Sequence, residues 1–261
     1  MRIVTWNINS ITARLDFVLD YLRAREPDIV CLQELKVDDD GFPRAAFDAA
    51  GYAVATHGQK QWNGVGVLVR KAAGGPPEIV QAGLVGQEAA GGRLLTVRAL
   101  GLTVTSVYVP NGKSVRHPDF DLKLAWLDTL AGYTRALGKD GNAVIGGDFN
   151  LCPSDLDTWD PALHAGHIFH TDAERARFRA LLDQGWHDVF REQVPDERVF
   201  SWWDYRAGCF HKKQGLRIDL LLGTADVAAR ASAASVDRDF RKKREGRVPS
   251  DHAPVSIELN D

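Results

Sequence analysis

Cysteine is scarce in this chain. Its three cysteines, Cys31, Cys152 and Cys209, lie far apart and form no CxxC pair. An odd number of cysteines at such spacing argues against a disulfide framework and against a cysteine-ligated zinc site. We therefore expect a reducing compartment, the cytoplasm.

Long apolar segments are also absent, since no run approaches the roughly 20 residues needed to span a bilayer. The opening residues, MRIVTWNINS, lead directly into a strand-like pattern. They lack the basic start, the apolar stretch and the small-residue cleavage site of an export signal. No repeat has a period typical of solenoids or propellers. We expect neither export nor a membrane partner, and the length of 261 residues leaves one large domain or two small ones open.

The chain carries little excess charge, with a formal net charge of -3 and a pI of about 6.2. These values give no electrostatic support for a nucleic-acid partner. Basic residues are nevertheless concentrated between Arg238 and Arg247, where six stand beside two acidic residues, and again at His211 to Lys213. Such a run is most often a solvated face, and a phosphate-binding surface is the alternative.

Apolar residues make up 44% of the chain, which is enough for a sizeable core. Helical periodicity predicts helices over Thr12 to Glu26, Phe120 to Leu137 and Ala173 to Gly185, the last with Thr171 or Asp172 as its N-cap. Gly-, Ala- and Pro-rich segments between Ala72 and Arg93 predict surface turns around a strand.

Short apolar runs predict further strands along the whole chain. These runs are Asp28 to Glu34, Val65 to Val69, Leu94 to Leu100, Leu102 to Val109, Asn142 to Gly147, Arg217 to Gly223 and Ala253 to Leu259. Strands in both halves, with helices between them, favour two packed sheets covered by helices over one doubly wound sheet.

Polar side chains gather where the predicted strands meet loops: Asn7, Asn9, Glu34, Asp148, Asn150, Asp251 and His252. Singly, each is most simply a turn residue. As a set they offer hard oxygen ligands and no thiolate, which suits Mg²⁺, with Mn²⁺ as an alternative. Phosphodiester hydrolysis needs a metal ion, a base for the attacking water and donors to the non-bridging oxygens, and this set can supply all three.

His252 needs a partner that sets its tautomer or charge. Asp219 is a candidate, because a carboxylate among apolar strand residues is costly without a charged or hydrogen-bonding neighbour. Pairing of Asp219 with Arg217 is an equally good alternative from the residues alone. The side-chain amide of Asn150 could orient a water molecule beside Asp148.

The chain resembles the exonuclease III branch of the endonuclease/exonuclease/phosphatase superfamily along nearly its whole length. The matching motifs are WNIN at Trp6, LQE-K at Leu32, NGVGVL at Asn63, GR at Gly92, SVYVPNG at Ser106, GDFN at Gly147, FSWWDYRAGCF at Phe200, GLRIDLLL at Gly215 and SDHAPV at Ser250. GDFN and SDH alone would indicate only the superfamily, whereas the combination is much more specific.

The resemblance implies an α/β fold, a four-layer αββα sandwich of two packed mixed sheets flanked by helices, in a single domain over 1–261. It implies a Mg²⁺-dependent hydrolase of DNA repair that cleaves 5′ to abasic sites and removes 3′ nucleotides or 3′ blocking groups. The expected partner is double-stranded DNA with abasic sites or 3′ ends, and the expected state is a monomer.

By motif position, the resemblance implies a role for each site residue. The metal candidates are Asn7, Glu34, Asp148, Asn150, Asp251 and His252, with Glu34 as the principal ligand. The catalytic candidates are Tyr108, Asp148, Asn150, Asp219 and His252. Asp148 would align and deprotonate the attacking water, His252 paired with Asp219 would contact the scissile phosphate, and Tyr108 would donate to that phosphate or aid the leaving oxygen.

The substrate-binding candidates are Asn111, Trp202, Leu216, Arg217 and Ile218, with Asn111 on a phosphate oxygen. Trp202, Leu216 and Ile218 match the family's apolar pocket for an extruded abasic sugar. Flipping is least costly where the base is already missing, so a pocket too small for a base would select the lesion. The alternative is that Trp202 and Trp203 are core aromatics.

Two departures limit what the resemblance implies. Some relatives place Asp where this chain has Asn9, and relatives differ at the positions of Ser114 and Arg206, so the balance between endonuclease and exonuclease activity is not predicted. Competing interpretations are a phosphatase of the same superfamily with a non-DNA substrate and a non-catalytic DNA-binding member.

A histidine cluster stands apart from these motifs. His164, His167 and His170 follow one another at three-residue spacing, which could suggest a transition-metal site. No cysteine or acidic residue completes a familiar zinc pattern, so we expect an exposed loop.

Overall fold

Two β-sheets lie face to face in the computed structural model, which describes residues 1–244 and 246–260. The strands are β1 (Arg2–Asn7), β2 (Ile29–Gln33), β3 (Tyr52–His57), β4 (Val65–Arg70), β5 (Glu78–Ala82), β6 (Leu94–Ala99), β7 (Leu102–Tyr108), β8 (Ala143–Asp148), β9 (His187–Asp188), β10 (Asp219–Gly223), β11 (Ala231–Val236) and β12 (Val255–Leu259). The helices are α1 (Ile11–Arg25), α2 (Arg44–Ala49), α3 (Pro118–Leu137), α4 (Pro161–His164), α5 (Asp172–Leu182), α6 (Val189–Gln193) and α7 (Ala225–Arg230).

Each sheet of the described chain has six strands, in the orders β11-β12-β1-β2-β4-β3 and β5-β6-β7-β8-β10-β9. Both are mixed, because β1 pairs with β2 and β7 pairs with β8 in parallel while their neighbours are antiparallel. Parallel strands end at the same edge of a sheet. The carboxyl ends of β1 and β2 therefore lie together, as do those of β7 and β8.

Apolar side chains divide into layers that match this arrangement. Between the sheets lies a core that includes Ile3, Cys31, Val104 and Leu221. Helices α1 and α2 cover the outer face of the first sheet, and α3 and α5 cover that of the second. The order is helix, sheet, sheet, helix, which confirms the predicted four-layer αββα sandwich.

The predicted helices are present with small shifts at their ends. Helix α1 begins one residue earlier than predicted, where the Ser10 hydroxyl caps the amide of Ala13, and it ends before Glu26, a left-handed residue followed by Pro27. Helix α5 begins with a capping box formed by Thr171 and Glu174, so Thr171 and not Asp172 is the N-cap.

The apolar runs from Asp28 to Leu259 form strands as predicted, and β5 lies between the predicted surface turns. Strands β3, β9 and β11 were not predicted. Strand β11, ASAASV, carries small side chains with little apolar character and lies at a sheet edge. Within the described residues, no helix combines the length and the apolar character needed to cross a membrane.

A buried ion network fixes the segment that leads into β10. The guanidinium of Arg217 is fully buried and bonds Asp157 at 2.6 Å and Asp188 at 2.7 Å and 3.1 Å. The backbone amide of Arg217 also donates to the carbonyl of Asp157. One side chain therefore ties the start of β10 to the short 3-10 helix at Asp155–Asp157 and to the N-cap of α6.

We predict that Arg217→Met lowers the free energy of unfolding by about 3–5 kcal/mol, because it leaves buried carboxylates without their partner. Urea unfolding followed by circular dichroism measures the change. The control is Arg206→Met, which breaks the exposed pair with Asp204 and should leave stability nearly unchanged. An equal effect of the two substitutions would contradict the role given to burial.

Candidate active site

The predicted polar residues meet where both sheets end at one edge. Asn7 ends β1, Tyr108 ends β7 and Asp148 ends β8, while Glu34 comes directly after β2. Asp219 begins the antiparallel strand β10 in register with Asp148. The parallel pairing of β1 with β2 and of β7 with β8 is therefore what brings residues distant in sequence to one place.

Asn7 joins the carboxylates of the two sheets. Its amide nitrogen donates to Glu34 Oε1 at 2.8 Å and to Asp148 Oδ2 at 2.9 Å, and its Oδ1 accepts from the amide of Asn9. Two like charges held this close repel each other, and a cation bound between them would relieve that repulsion. This is the position at which the oxygen ligands of a metal site would converge.

The Glu34 carboxylate is held in its ionised form. Burial raises its pKa, but the hydrogen bond and charge of Lys36, together with the Asn7 amide, lower the pKa further, and the net shift is downward. Lys36 Nζ lies 2.8 Å from Glu34 Oε2 and donates to Asn9 Oδ1 at 2.6 Å. Glu34 is thus an anion that is available to a metal ion near neutral pH.

Asp251 lies on the other side of Asn9. Its Oδ1 accepts from Asn9 Nδ2 at 3.0 Å and its Oδ2 accepts from Trp202 Nε1 at 2.9 Å. Burial raises the pKa of Asp251, while His252, Trp202 and Asn9 lower it, with a net downward shift. The side-chain oxygen of Asn9 accepts from Lys36 and its side-chain nitrogen donates to Asp251. Asn9 therefore holds these two neighbours in place.

His252 pairs with the buried carboxylate of Asp219. Its Nδ1 lies 2.8 Å from Asp219 Oδ2, and its Nε2 lies 3.8 Å from Asp148 Oδ2. Burial lowers the pKa of His252, but Asp219 and Asp148 raise it to about 10 overall. The alternative pairing of Asp219 with Arg217 is wrong, because Arg217 bonds Asp157 and Asp188.

Asp148 is the most perturbed carboxylate of the site. Burial, opposed by the charge of His252 and reinforced by that of Asp219, raises the pKa of Asp148 to about 7. Its Oδ1 accepts from the backbone amide of Asn150 at 2.9 Å. A carboxylate that binds a proton near neutral pH and lies beside an imidazolium is a suitable general base.

The donor set fits a divalent metal ion. Ligand atoms of Asp148, Asp219 and His252 lie within 4.8 Å of one another, and among the described residues they form the one such group of three. The hydrogen bond of His252 with Asp219 commits that pair to each other, and the Asn7 group that faces the carboxylates is its Nδ2 donor, so Glu34 and Asp148 supply the oxygens available to a metal ion. Asp219 Oδ1 is buried without a hydrogen-bond partner, which marks a local excess of negative charge. Oxygen ligands without thiolate suit a hard cation.

Tyr108 lies beside the carboxylates. Burial and the charges of Glu34 and Asp148 raise the pKa of Tyr108 well above its ordinary value, so its hydroxyl remains a donor. The guanidinium of Arg93 lies 4.6 Å from the centre of the Tyr108 ring and donates to the Tyr108 carbonyl. Arg93 was not given a role from the sequence, although it is the arginine of the GR motif.

Asn150 and Asn111 form a second polar pair. Asn111 Nδ2 donates to Asn150 Oδ1 at 3.3 Å, and Asn150 Nδ2 donates to the carbonyl of Val109. Lys123, on helix α3, donates to the backbone carbonyls of both asparagines. Lys123 was not predicted from the sequence. The signal that could have found it is a lysine at a position of α3 where the apolar stripe predicts a core residue.

An apolar surface adjoins the polar site. Leu216 and Ile218 are buried with Cys152, and Trp202, Trp159 and Phe169 pack against them. Trp203 is 1% exposed and belongs to the core, whereas Trp202 is partly exposed. Arg217, predicted to bind substrate, has no exposed surface, so that prediction is wrong in its direct form.

The histidine segment is partly exposed, as expected, except at its end. The ring of His170 is buried and stacks on that of His164 with centroids 4.9 Å apart. Burial lowers the pKa of His170 to about 4, so both rings of the stack can remain neutral. In the described residues, no group of three ligands includes these histidines.

The basic stretch near the site is not a uniform solvated face. Arg241 is buried and donates to the carbonyls of Asp251 and Trp203. Lys242 and Lys243 are exposed and line a cavity of about 400 Å³ with Tyr205 and other residues. Glu245, within the same stretch, lies outside the described residues.

Comparisons with known proteins identify the family of this chain. Residues 4–252 match the model of the endonuclease/exonuclease/phosphatase family. The chain is 33% identical to exodeoxyribonuclease III of Haemophilus influenzae, over 99% of this chain and 100% of that protein. Two of the similar solved structures serve as examples, and each covers 100% of the chain. One is a 3′ phosphatase from Neisseria bound to a product DNA hairpin, with 37% identity, a TM-score of 0.94 and 99% of that chain covered. The other is an AP endonuclease from Archaeoglobus fulgidus, with 32% identity, a TM-score of 0.93 and 100% of that chain covered.

The motifs around Glu34, Asp148 and His252, the four-layer fold and these similarities lead to one assignment. The chain belongs to the endonuclease/exonuclease/phosphatase family and, within it, to the exodeoxyribonuclease III group.

Proposed function

We propose that this protein is a Mg²⁺-dependent DNA-repair phosphodiesterase that cleaves duplex DNA 5′ to abasic sites and removes 3′ nucleotides or 3′ blocking groups. The observation that carries the proposal is the Glu34–Asn7–Asp148 bridge beside the His252–Asp219 pair. The DNA hairpin bound to the similar Neisseria protein supports DNA as the partner. A monomeric state, a cytoplasmic location and a single domain over 1–261 are parts of the same proposal.

Glu34 and Asp148 would hold the metal ion, Asn7 would join them through its Oδ1 once its amide turned toward the ion, and Asp251 would support them through Asn9. A bound Mg²⁺ supplies a positive charge that neutralises charge developing on the phosphate oxygens. The oxygen-rich donors favour Mg²⁺, with Mn²⁺ as the alternative. Lys36 keeps Glu34 ionised in the absence of the ion.

The chain's own residues perform the proton transfers and hold the substrate. Asp148, which accepts from the backbone amide of Asn150, takes a proton from the attacking water, and the side-chain amide of Asn150 helps to fix the orientation of that water. His252, with a pKa raised to about 10, carries the charge of an imidazolium and donates to a non-bridging oxygen of the scissile phosphate. Tyr108, which keeps its proton, donates to the phosphate or to the leaving oxygen, and Asn111 binds a phosphate oxygen.

The apolar surface at Trp202, which packs against the buried Leu216 and Ile218, would receive the extruded abasic sugar. Extrusion is least costly where a base is already missing, and an apolar wall cannot satisfy the polar edge of a base. Arg217 acts on this surface only indirectly, by fixing the backbone between Leu216 and Ile218. A non-catalytic member would lose the metal carboxylate or the histidine, and this chain retains both.

One gel experiment with four duplexes, intact, abasic, nicked and 3′-phosphate-ended, tests the proposed activity. The purified protein should cut the abasic strand 5′ to the lesion and release phosphate or nucleotides from 3′ ends. Chelator should stop these reactions and Mg²⁺ should restore them. If the abasic duplex stays intact with full metal while inositol polyphosphates lose phosphate, the DNA substrate is wrong.

Substitutions at Glu34 and Asp148 separate metal binding from base catalysis. Glu34→Ala should lose most activity at low Mg²⁺ and recover partly at high Mg²⁺. Asp148→Asn should lose about 10²–10⁴-fold in kcat at every Mg²⁺ concentration, because added metal cannot replace the base. Titration of Mg²⁺ in the abasic-site assay measures both, with exposed Glu78→Ala as the control. Equal recovery of the two variants would show that the roles are not divided in this way.

Neutralising Lys242 and Lys243 tests whether the basic stretch meets phosphates. The double glutamine variant should reduce the slope of log affinity against log salt concentration by about 0.9 for each phosphate that these lysines neutralise in the wild-type protein. Fluorescence anisotropy of labelled duplex DNA measures the slope. Lys71 and Lys139 lie at the opposite edge of the sheets, and their double glutamine variant should keep the wild-type slope. An unchanged slope in the Lys242 and Lys243 variant would show that these lysines face solvent and do not contact DNA phosphates.

A further inference from the structure

A fully buried lysine lies directly beneath the second polar pair of the site. Lys123, on α3, has no exposed surface, and neither does its ion-pair partner Glu174 on α5. An ammonium group has three N–H donors. Lys123 directs them to Glu174 Oε1, to the Asn150 carbonyl at 2.6 Å and to the Asn111 carbonyl at 3.3 Å.

The two carbonyls belong to segments that no strand ladder holds. Asn111 and Asn150 both lie just beyond the ends of parallel strands, and Asn150 has a φ of 50°, in the left-handed region. A backbone outside regular structure needs other hydrogen-bond partners to stay in one conformation. Lys123 supplies a charged donor to both segments from a single atom.

The same two asparagines carry groups that belong to the working part of the site. The backbone amide of Asn150 donates to Asp148 Oδ1, and the side-chain amide of Asn111 donates to the side-chain oxygen of Asn150. A shift of either backbone would change the orientation of both amides and of the Asp148 carboxylate. Lys123 touches none of the groups that would react, so its effect passes through these asparagines.

Glu174 keeps the lysine in place. One carboxylate oxygen of Glu174 accepts from Lys123 and from the amide of Phe169, and the other accepts from the amide and hydroxyl of Thr171. The Phe169 ring also lies 4.8 Å from the Lys123 ammonium. The ion pair thus joins α3, the N-terminus of α5 and both asparagine segments.

We infer that Lys123 is a positioning residue for hydrolysis, which holds Asn111 and Asn150 in register with Asp148, with Glu174 as its counter-ion. This inference rests on the proposed function, because it concerns the rate of that reaction. Removing both charges of a buried ion pair avoids the strongly destabilising case in which one buried charge is left without its partner, which makes the role separable from folding.

The test is the paired variant Lys123→Met/Glu174→Gln, assayed on the abasic duplex with saturating Mg²⁺. We expect kcat to fall about 10- to 100-fold, the range typical of lost support for catalytic groups, while KM for DNA stays nearly unchanged. Thermal unfolding should show a folded protein. The matched control is Asp28→Asn, which breaks a partly buried pair with Arg70 at the opposite edge and should reduce stability without reducing kcat.

A folded paired variant with the kcat of wild type would overturn the inference. If the paired variant does not fold, Lys123→Arg and Lys123→Gln are compared. Arginine retains a charged donor, so its kcat should exceed that of the glutamine variant about tenfold or more, and equal values would overturn the inference. A wild-type protein that leaves the abasic duplex uncut contradicts the proposed function, whereas an active wild type with an unaffected variant contradicts only the positioning role.

Discussion

The site depends on two carboxylates of like charge held together by one amide. Glu34 comes from the first sheet and Asp148 from the second, and Asn7 donates to both. Burial increases the cost of this arrangement, since charge is poorly screened away from water. Glu34 and Asp148 respond to this repulsion and burial in different ways. Lys36 keeps Glu34 ionised, while Asp148 retains an affinity for protons near neutral pH. A divalent cation, as proposed, would balance both at once.

Two buried ion networks support segments that carry this centre. Arg217 with Asp157 and Asp188 fixes the approach to Asp219, and Lys123 with Glu174 fixes Asn150. Buried pairs contribute little net stability compared with apolar residues of equal volume. Their placement at these segments indicates that they specify one backbone conformation. Both networks support segments where strands end and regular hydrogen bonding stops.

The sequence predicted the elements well where local patterns decide them. Apolar runs located the central strands, and the side chains at their ends located Asn7, Glu34 and Asp148 at one edge. The pairing of Asp219 with His252 required the resemblance, because the residues alone allowed Arg217 equally. Edge strand β11 escaped prediction because its small residues carry no apolar pattern.

The supporting residues could not be predicted for a different reason. Lys123 and Glu174 are 51 positions apart, and their contact depends on how α3 and α5 pack on the second sheet. Arg93 meets Tyr108 only through the pairing of β6 with β7. The burial of Arg217 likewise results from the meeting of three segments. Periodicity gives the face on which a residue lies but not the partner that reaches it from another element.

The centre is assembled from both sheets, and this has a consequence for the order of folding. Asn7 reaches Asp148 across 141 residues of chain, and the Trp6 indole bonds the His252 carbonyl across 246. No single sheet contains both carboxylates. A chain with only one sheet formed therefore has no cation site, and the site is completed only when the two sheets dock. Retention of a metal ion would report that the two sheets have docked, and a nascent chain that has not yet reached His252 would have an incomplete nuclease centre.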